Sequence, residues 1–409
     1  MSHRILFLAQ CLPYPPHSGV TNRTFHILEQ LGKEFSVVLT PFSRVNHQPD
    51  GDALDGAHRA LQKMVSYVAR PSPIPAEHSH IRRTWDHLRS VVLRRPYTHY
   101  EYASSAFRRA LRQSLAQGRP SLIHLDSLVD LYRWVQDLPQ APVVCTHHNI
   151  ESQLLRRRAA HMRSRILRTY VRHQADLVER VERTFAPRCA LNVMTSKVEA
   201  DRLAALAPNS VTLVVPNGVD TVYLTPRNDI PVVPGRVAFL GPTYVFPNRD
   251  GVDYFLRDIW PVILRCYPAA TLQLIGRNTP LDQPRYEAVP GIACLGQVPD
   301  IRPYLAAACC CIVPLRVGGG TRLKILDYWA MGKAVVSTSV GCEGLNAVDR
   351  ENIIIRDDPE AFGRAVVSVL SDPGLRSQLE ANARQTVERT YSWETVGEGL
   401  RRAYRHLMD

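Results

Sequence analysis

A glycine-rich loop followed by two cations and an acid is the strongest chemical signal in this sequence. GGGTRLKILDYWAMG (318–332) follows the apolar run CCCIVPL (309–315) and runs into a helical pattern. A strand, a glycine-rich loop and a helix N-terminus together expose backbone N–H groups to a phosphate. We expect the following residues to hold a nucleoside diphosphate: Gly319, Gly320 and Thr321 through backbone amides, Arg322 and Lys324 on the phosphates, and Asp327 on the ribose hydroxyls. The alternative is an ordinary turn with solvated charges.

Two further loops carry polar groups. PYPPHSGVTNR (13–23) follows the first apolar run, and Gly19 can let the backbone approach a phosphate; a Pro-rich turn explains it equally well. CTHHNIES (145–152) ends another apolar run and offers His147, His148 and Asn149. A histidine there can contact a sugar hydroxyl or move a proton. A zinc site has no HExxH or cysteine partner to support it, and a structural histidine bonded to backbone remains an alternative.

The elements that position these loops alternate between strand and helix. RILFLAQ, SVVLTPF, SLIHLD, APVVCTHHN, CALNVMTS and VTLVVPN predict strands of a first parallel sheet. TPRNDIPVVPG (225–235) predicts a linker, after which a second strand–helix series begins at RVAFLG. One long helix is predicted from about 374 to 408. Two such domains facing each other would form a cleft beyond the carboxyl ends of their strands, where ligands bind in open parallel sheets.

Composition excludes several classes of protein. The chain has 409 residues and a formal charge of +12, which favours anionic partners. Its nine cysteines include no CxxC pair, so a metal or disulfide framework is not expected and a reducing, cytoplasmic compartment fits. No apolar run approaches the roughly 18 residues that would cross a bilayer.

Arginines are concentrated in the N-terminal half. Residues 151–173 hold seven arginines and one glutamate with leucines between them, and a second basic cluster comprises Arg82, Arg83, Arg89, Arg94 and Arg95. A basic amphipathic helix is typical of a peripheral membrane protein; a solvated helix face is the alternative. A nucleic-acid-binding protein would show aromatic residues among its basic residues, and none of the usual motifs occurs.

The three loops, together with VVPNGVDTVYL (214–224), resemble the family 4 glycosyltransferases. RVAFLGPTYVFPNRDGVDYFL resembles the opening of that family's donor domain, LGQVPDIRPYLAAACCCIVPLRVGGGTRLKILDYWAMG its nucleotide-sugar site, and YSWETVGEGLRRAYRHL its final helix. The residues around PN, VPLR and GGGTRLKIL resemble those of bacterial sugar transferases associated with exopolysaccharide production.

The resemblance implies an α/β protein of the GT-B fold, with two Rossmann-like domains facing each other across a cleft and a C-terminal crossover helix. The implied boundaries are 1–224 for the acceptor-side domain, 225–235 for the linker, 236–385 for the nucleotide-sugar domain and 386–409 for the returning helix. The implied reaction moves a sugar from a UDP- or GDP-sugar to a glycan or lipid-linked acceptor with retention of configuration. No metal or cofactor is expected. The cysteine usage and the basic clusters predict a cytoplasmic location, with peripheral attachment to the inner face of the plasma membrane.

The resemblance also assigns residues and shows departures. It implies that His148, or else His147, lies beside the donor sugar. The family's E-x7-E pair falls on Gly319 and Asp327, so the first carboxylate is missing. Pro242 follows Gly241 where the family usually has basic residues nearby, and Asn248 and Arg249 can supply polar contacts instead.

Two other functions are compatible with the same fold. A nucleotide-sugar isomerase would need a pair of carboxylates, and no clear pair is present. A non-catalytic paralogue is conceivable because Gly319 replaces an acid.

Overall fold

The structure is a computed structural model that describes residues 3–16, 18–45, 51–160, 162, 164–318 and 321–409. The chain forms two compact units. The first comprises Met1–Pro216 with Gly397–Asp409, and the second comprises Asn217–Val396.

The first unit is built on a parallel sheet whose strands are apolar and mostly buried. The strands are Arg4–Ala9 (β1), Ser36–Ser43 (β2), Tyr67–Val68 (β3), Ser72–Pro73 (β4), Leu122–Leu125 (β5), Val143–His147 (β6), Leu191–Met194 (β7) and Thr212–Val214 (β8). Their order is β3-β2-β1-β5-β6-β7-β8, and β4 pairs with β2. The order reverses between β1 and β5, which makes that point the expected binding edge.

Helices connect these strands, and serine caps begin several of them. They are Gly19–Gly32 (α1), Gly51–Gln62 (α2), His80–Val92 (α3), Tyr97–Glu101 (α4), Ser105–Ala116 (α5), Leu128–Leu131 (α6), Glu151–Ala160 (α7), Arg165–Phe185 (α8) and Lys197–Leu206 (α9). Short 3-10 turns occupy Pro75–Glu77, Tyr132–Asp137 and Ala186–Arg188. The serine hydroxyls satisfy backbone N–H groups that the first helical turn leaves without partners.

The second unit repeats the plan. Its strands are Arg236–Leu240 (β9), Thr271–Ile275 (β10), Ile292–Gly296 (β11), Cys310–Val313 (β12), Val335–Ser337 (β13) and Ile354–Ile355 (β14). All are parallel, in the order β11-β10-β9-β12-β13-β14, so the reversal lies between β9 and β12. Its helices are Phe246–Tyr254 (α10), Trp260–Cys266 (α11), Asp282–Glu287 (α12), Arg302–Ala306 (α13), Leu323–Ala330 (α14), Pro359–Ser371 (α15) and Pro373–Thr390 (α16). The last helix of the chain is Trp393–Met408 (α17).

The structure confirms the predicted alternation and the two parallel sheets. Each apolar run predicted as a strand of the first sheet forms one; the central strands are buried, whereas β8, at the end of the strand order, is partly exposed. In the second basic cluster, Arg82, Arg83 and Arg89 lie on α3, and Arg94 and Arg95 lie in the turn that follows it.

Two predicted helices are broken. The long C-terminal helix is divided into α16 and α17, because Tyr391 and Ser392 pair with Val219: Val219 N donates to Tyr391 O (2.8 Å), and Val219 forms an isolated bridge with Ser392. The basic segment 151–173 is likewise not one helix. It comprises α7 and the first part of α8, which begins at its Ser164 cap.

The segment predicted as a linker lies inside the second unit. Val233 N donates to Ala307 O (2.9 Å), and Arg227 forms an ion pair with Asp229 (2.6 Å). The last helix belongs mainly to the first unit, in which Arg401 Nη1 donates to Gln30 Oε1 (2.5 Å) and Arg405 Nε lies 2.8 Å from Glu34 Oε1.

Candidate functional site

A half-buried lysine and a buried asparagine meet where the sheet of the second unit reverses its order. Lys324, on the first turn of α14, donates from Nζ to Asn248 Oδ1 on α10 (2.8 Å). The same Nζ lies 4.0 Å from the centroid of the Phe239 ring on β9. These contacts place a cationic group beyond the carboxyl ends of β9 and β12, the edge where ligands bind in such sheets.

Gly241 is required at this edge by conformation and by space. It directly follows β9 with φ of 144°, a region that residues with a side chain rarely adopt. A Cβ there would lie 2.8 Å from Lys324 Nζ and 2.9 Å from Asn248 Nδ2. The missing side chain therefore leaves the room that the lysine and asparagine occupy.

The start of α14 brings the predicted phosphate-binding residues together. Arg322 is the N-cap residue of the helix, and its guanidinium packs against Gly318, which has φ of 144°. Thr321 Oγ1 accepts a hydrogen bond from Asn217 Nδ2 (2.6 Å). Gly319 and Gly320 lie outside the described residues, so their assignment stays a prediction.

Asp327 lies one turn beyond Lys324 on α14, and the two groups influence each other's protonation. Burial lowers the pKa of Lys324 to about 7, with Arg322 lowering it further and Asp327 opposing the change. Burial raises the pKa of Asp327 to about 7, while Lys324 acts in the other direction. An ammonium with a lowered pKa is poorly solvated, and the oxygens of a phosphate would compensate it.

We expect Asp327→Asn to stabilise the protein increasingly from pH 4 to pH 7. Because the pKa of Asp327 is raised from 3.8 to about 7 on folding, the folded state holds more protons in this window. Stability of the wild type therefore falls as pH rises through it, and asparagine removes that fall. The gain in the free energy of unfolding at pH 7 should be on the order of 2 kcal/mol. Urea unfolding at three pH values measures it, with Glu398→Gln as an exposed-carboxylate control; a constant difference between Asp327→Asn and wild type would contradict the assignment.

Arg249 is more exposed than its neighbour Asn248. It is exposed on the first turn of α10, one residue after the buried Asn248. Asn248 Nδ2 donates to Pro242 O (2.9 Å), which fixes the amide so that its oxygen faces Lys324.

In the first unit, the loop after β1 ends at a capped helix. Ser18 and Thr21 form a reciprocal capping box, and Gly19 is the exposed first residue of α1. The predicted glycine therefore lies at a helix N-terminus, on the side of the sheet where its order reverses.

His148 lies against a buried carboxylate at the same edge. Its Nε2 is 2.9 Å from the backbone oxygen of Asp126 and 3.7 Å from Asp126 Oδ1. A carbonyl oxygen only accepts, so Nε2 carries the hydrogen and the neutral ring offers Nδ1 as an acceptor. Asp126 is fully buried and also accepts from Thr24 Oγ1 (2.8 Å). This arrangement fixes the tautomer and the orientation of the half-buried His148 ring.

His147 has different surroundings, although it is the adjacent residue. It is 3% exposed, and its Nε2 lies 2.9 Å from Asn192 Oδ1 on β7. The Asn192 amide nitrogen donates to Ala186 O and Val211 O, so its oxygen accepts from His147. Burial lowers the pKa of His147 to about 4. His147 is therefore buried against the neighbouring strand β7, whereas His148 lies at the edge of the sheet, beyond the end of β6.

Asn149 continues the same loop toward a carboxylate. Its Nδ2 donates to Glu151 Oε1 (3.4 Å) at the start of α7. Burial raises the pKa of Glu151 to about 8, and Asp130 raises it further. The loop after β6 therefore combines an imidazole, an amide and a carboxyl group that is mostly protonated at neutral pH.

Sequence reasoning missed three residues of these sites. Asp126 directly follows β5, so the strand-end argument applied to His148 would have found it. Asn217 stands in the quoted segment VVPNGVD. Arg23 is 1% exposed and donates from Nη2 to Val215 O (2.7 Å); nothing in the sequence distinguishes it from the many exposed arginines.

In the part of the chain that the structure describes, no three His, Cys, Asp or Glu side chains are grouped as metal ligands would be. No helix in the described ranges has both the length and the apolar character to cross a membrane.

Two family models match the chain. "Glycosyltransferase Family 4" matches residues 55–223, and "Glycosyl transferases group 1" matches residues 234–372. Together they cover more than half of the chain and divide it where the two sheets are divided. The chain belongs to the family 4 glycosyltransferases. Its two parallel-sheet domains are those of the GT-B fold.

Relatives and solved structures agree with this assignment. An uncharacterised 44.6 kDa protein in the cps region of Klebsiella pneumoniae is 21% identical over 39% of this chain and 44% of its own. A GDP-mannose-dependent monoacylated alpha-(1-6)-phosphatidylinositol monomannoside mannosyltransferase of Corynebacterium glutamicum is 24% identical over 46% of this chain and 54% of its own. The chain thus matches about half the length of these relatives.

Similarity to solved structures extends over the whole chain. HepE of Anabaena in complex with UDP has a TM-score of 0.68 at 14% identity, covering 98% of this chain and 100% of that one. WaaG, a glycosyltransferase involved in lipopolysaccharide biosynthesis, has a TM-score of 0.64 at 14% identity, covering 98% of this chain and 99% of that one. At such identities the similarity shows the fold alone.

Proposed function

We propose that this glycosyltransferase moves a sugar from a UDP- or GDP-sugar to a glycan or lipid-linked acceptor, with retention of configuration, in exopolysaccharide or other cell-surface glycan biosynthesis. The observation that carries the proposal is the half-buried Lys324, held by Asn248 at the edge where the second sheet reverses its order. A cation with a lowered pKa at a helix N-terminus suits a diphosphate.

The second unit binds the donor in this proposal. Arg322 and Lys324 contact the diphosphate, and the amides of Gly319, Gly320 and Thr321 complete the anion site. Asp327 accepts hydrogen bonds from the ribose hydroxyls. Gly241, which has no side chain, lets the backbone come close to the donor. Asn248 and Arg249 add polar contacts. No metal or cofactor takes part, because two cationic side chains already neutralise the phosphates.

Transfer breaks the bond between the anomeric carbon of the sugar and a diphosphate oxygen. Negative charge grows on that oxygen, and positively charged donors already in place stabilise it without having to reorganise. The acceptor hydroxyl oxygen forms the new bond to the anomeric carbon on the same face. Its proton passes to the departing phosphate, so no protein base is needed.

The first unit supplies the groups for sugar and acceptor. His148 Nδ1 accepts a hydrogen bond from a sugar hydroxyl, since Nε2 donates to Asp126 O. Asp126 holds the ring and stabilises positive charge on it. Gly19 and Asn149 bind substrate from neighbouring loops. His147 supports the loop through Asn192 rather than touching substrate directly.

Names of related proteins support the choice of substrates. One relative is GDP-mannose-dependent and acts on a phosphatidylinositol mannoside, another lies in a cps region, and HepE was crystallised with UDP. Two of these descriptions name a nucleotide or nucleotide sugar, with different bases, and one of the two also names a glycolipid acceptor.

The basic surface of the first unit suggests where the acceptor is met. Helix α3 exposes apolar residues at helical spacing, namely Ile81, Trp85, Leu88 and Val92, among the arginines of the predicted basic cluster. An apolar stripe flanked by cations fits the interface of an anionic membrane. We therefore place the enzyme in the cytoplasm and peripherally on the inner face of the plasma membrane.

A thermal-shift panel of UDP-, GDP- and ADP-sugars tests the donor site. We expect one nucleotide class to raise the unfolding midpoint of the wild type, with a shift that Asp327→Ala largely loses. A ligand at a hundred times its dissociation constant stabilises by about 2.7 kcal/mol. Product analysis with the active donor then distinguishes transfer from isomerisation.

Other outcomes select the alternatives. Binding without transfer would indicate a non-catalytic paralogue in which Gly319 marks a lost acid. No shift with any donor would contradict the donor site. An equal shift in wild type and Asp327→Ala would remove Asp327 from it.

A further inference from the structure

A cavity of about 560 Å³ lies in the first unit, away from the residues assigned to transfer. Its walls are the turn after α3, the 3-10 turn Tyr132–Asp137 and the C-terminal part of α8 with the residues that follow. The 3-10 turn precedes β6 and the end of α8 precedes β7, so the cavity lies toward the amino ends of these strands. His148 and Asp126 follow carboxyl ends, at the opposite edge of the sheet.

The charge of the cavity is entirely of one sign. Five arginines line it: Arg94, Arg95, Arg133, Arg180 and Arg188. No aspartate or glutamate lines it, and within the described residues none of the five forms an ion pair with a carboxylate. The nearby Asp137 instead pairs with Arg108 (3.5 Å). Five guanidinium groups around one cavity attract an anion strongly.

Two nitrogen donors without hydrogen-bond acceptors belong to residues that line this cavity. Arg95 Nη1 lies 2.9 Å from His99 Nε2, and because arginine only donates, His99 Nε2 accepts and Nδ1 carries the hydrogen. Burial and Arg133 lower the pKa of His99 to about 4, so the ring is neutral. In the part of the chain described, His99 Nδ1 and Arg133 Nε are buried without a hydrogen-bond partner. Buried unsatisfied donors are costly, and oxygens of a ligand would relieve that cost.

The remaining wall is apolar and aromatic. The rings of Tyr132 and Phe185 pack edge to face with centroids 5.2 Å apart, and the Arg188 guanidinium lies 5.5 Å from the Phe185 centroid. Leu177 and Val181 complete this side. A cavity of this size exceeds what inorganic phosphate needs and falls in the range that accommodates small organic ligands.

We propose that this cavity is a binding site for a phosphate ester, with the phosphate on the arginines and the organic part against Tyr132 and Phe185. Guanidinium groups match the geometry of phosphate oxygens through paired hydrogen bonds. The site is separate from donor binding and does not depend on the proposed transfer. Its ligand is either a soluble phosphate ester or the phosphate headgroup of a lipid, since both present the same chemistry.

The test uses the full chain and two probes. Calorimetry with sn-glycerol 3-phosphate measures the soluble form, and flotation with phosphatidylglycerol vesicles, against phosphatidylcholine vesicles, measures the lipid form. The test variant is Arg180→Gln/Arg188→Gln, because both side chains are exposed and neither has a hydrogen bond that folding needs. The matched control is Arg112→Gln/Arg119→Gln, which removes the same charge from exposed positions of the same unit outside the cavity.

We expect at least a tenfold loss of affinity for one probe in the cavity variant and less than a twofold change in the control. Loss of glycerol phosphate binding identifies a soluble ligand, and loss of vesicle binding alone identifies a lipid headgroup. Equal losses in both variants would show a general charge effect and overturn the proposal. Absence of wild-type binding to both probes would overturn it as well. An unchanged thermal midpoint of the cavity variant, and an unchanged shift with the nucleotide sugar, separate this result from failure of the proposed function.

Discussion

Replacing Lys324 with methionine is expected to lower the turnover number about 100- to 1000-fold while leaving the thermal midpoint equal or higher. The loss follows from removing a fixed cation from the charge that grows on the leaving diphosphate. The stability follows from burial, which lowers the pKa of Lys324 to about 7 and so makes its ammonium form costly to fold. Methionine keeps much of the length of the side chain and removes that cost. Initial rates of nucleotide release with the donor from the thermal-shift panel, together with a melting curve, measure both effects.

Lys333→Met is the matched control. Lys333 is 4% exposed in the same unit, but its Nζ lies 3.3 Å from Glu380 Oε1 and 3.3 Å from Ala306 O, away from the strand ends. Its removal leaves a partly buried carboxylate without its cation, so the midpoint should fall while turnover of the folded protein is kept. If Lys324→Met had normal turnover, Lys324 would not act on the leaving group. If it lost stability and turnover together, its role would be structural.

Replacing His148 with alanine is expected to reduce the turnover number about 100-fold with little change in donor affinity. The imidazole is held by Asp126 with Nε2–H on a carbonyl, which leaves Nδ1 for a sugar hydroxyl during transfer. Removing one positioned hydrogen-bonding group that acts on the charge developing in the transition state costs roughly 100- to 1000-fold in turnover. Turnover numbers from acceptor titrations, with donor affinity from calorimetry, separate an effect on transfer from one on binding.

His147→Ala is the control, since it removes an identical side chain one residue away. His147 is buried with Nε2 on Asn192 Oδ1, so its loss leaves a cavity and an unsatisfied acceptor. We expect a loss of about 2 kcal/mol in the free energy of unfolding and near-normal turnover of the folded protein. The reverse result, with His147 essential for turnover and His148 dispensable, would exchange their assigned roles.

The amino-acid sequence predicted the loops that carry chemistry because strand ends are local features. An apolar run of four to eight residues followed by polar residues or glycine marks the carboxyl end of a parallel strand, and this located the segments around Gly19, His148 and Lys324. Helix breaks were harder to predict. The periodicity of 374–408 is continuous, and only the pairing of Val219 with Tyr391 and Ser392, far away in the sequence, divides it.

The sequence by itself determined the two parallel sheets, the order of the elements and the loops at the strand ends, since each depends on residues that are neighbours in the chain. The tertiary structure alone decided which loops meet, because strand order places β9 beside β12 and β1 beside β5. The tertiary structure also decided the hydrogen-bond partners of the site residues. Lys324 bonds to Asn248, 76 residues away in the sequence, and His148 bonds to Asp126, 22 residues away. Two adjacent histidines look alike in the sequence, but His147 is the last residue of β6 and contacts Asn192 on the neighbouring strand, whereas His148 lies just beyond the strand and contacts Asp126. Burial and hydrogen-bond partners set the chemistry of such groups, and both arise only when distant segments pack.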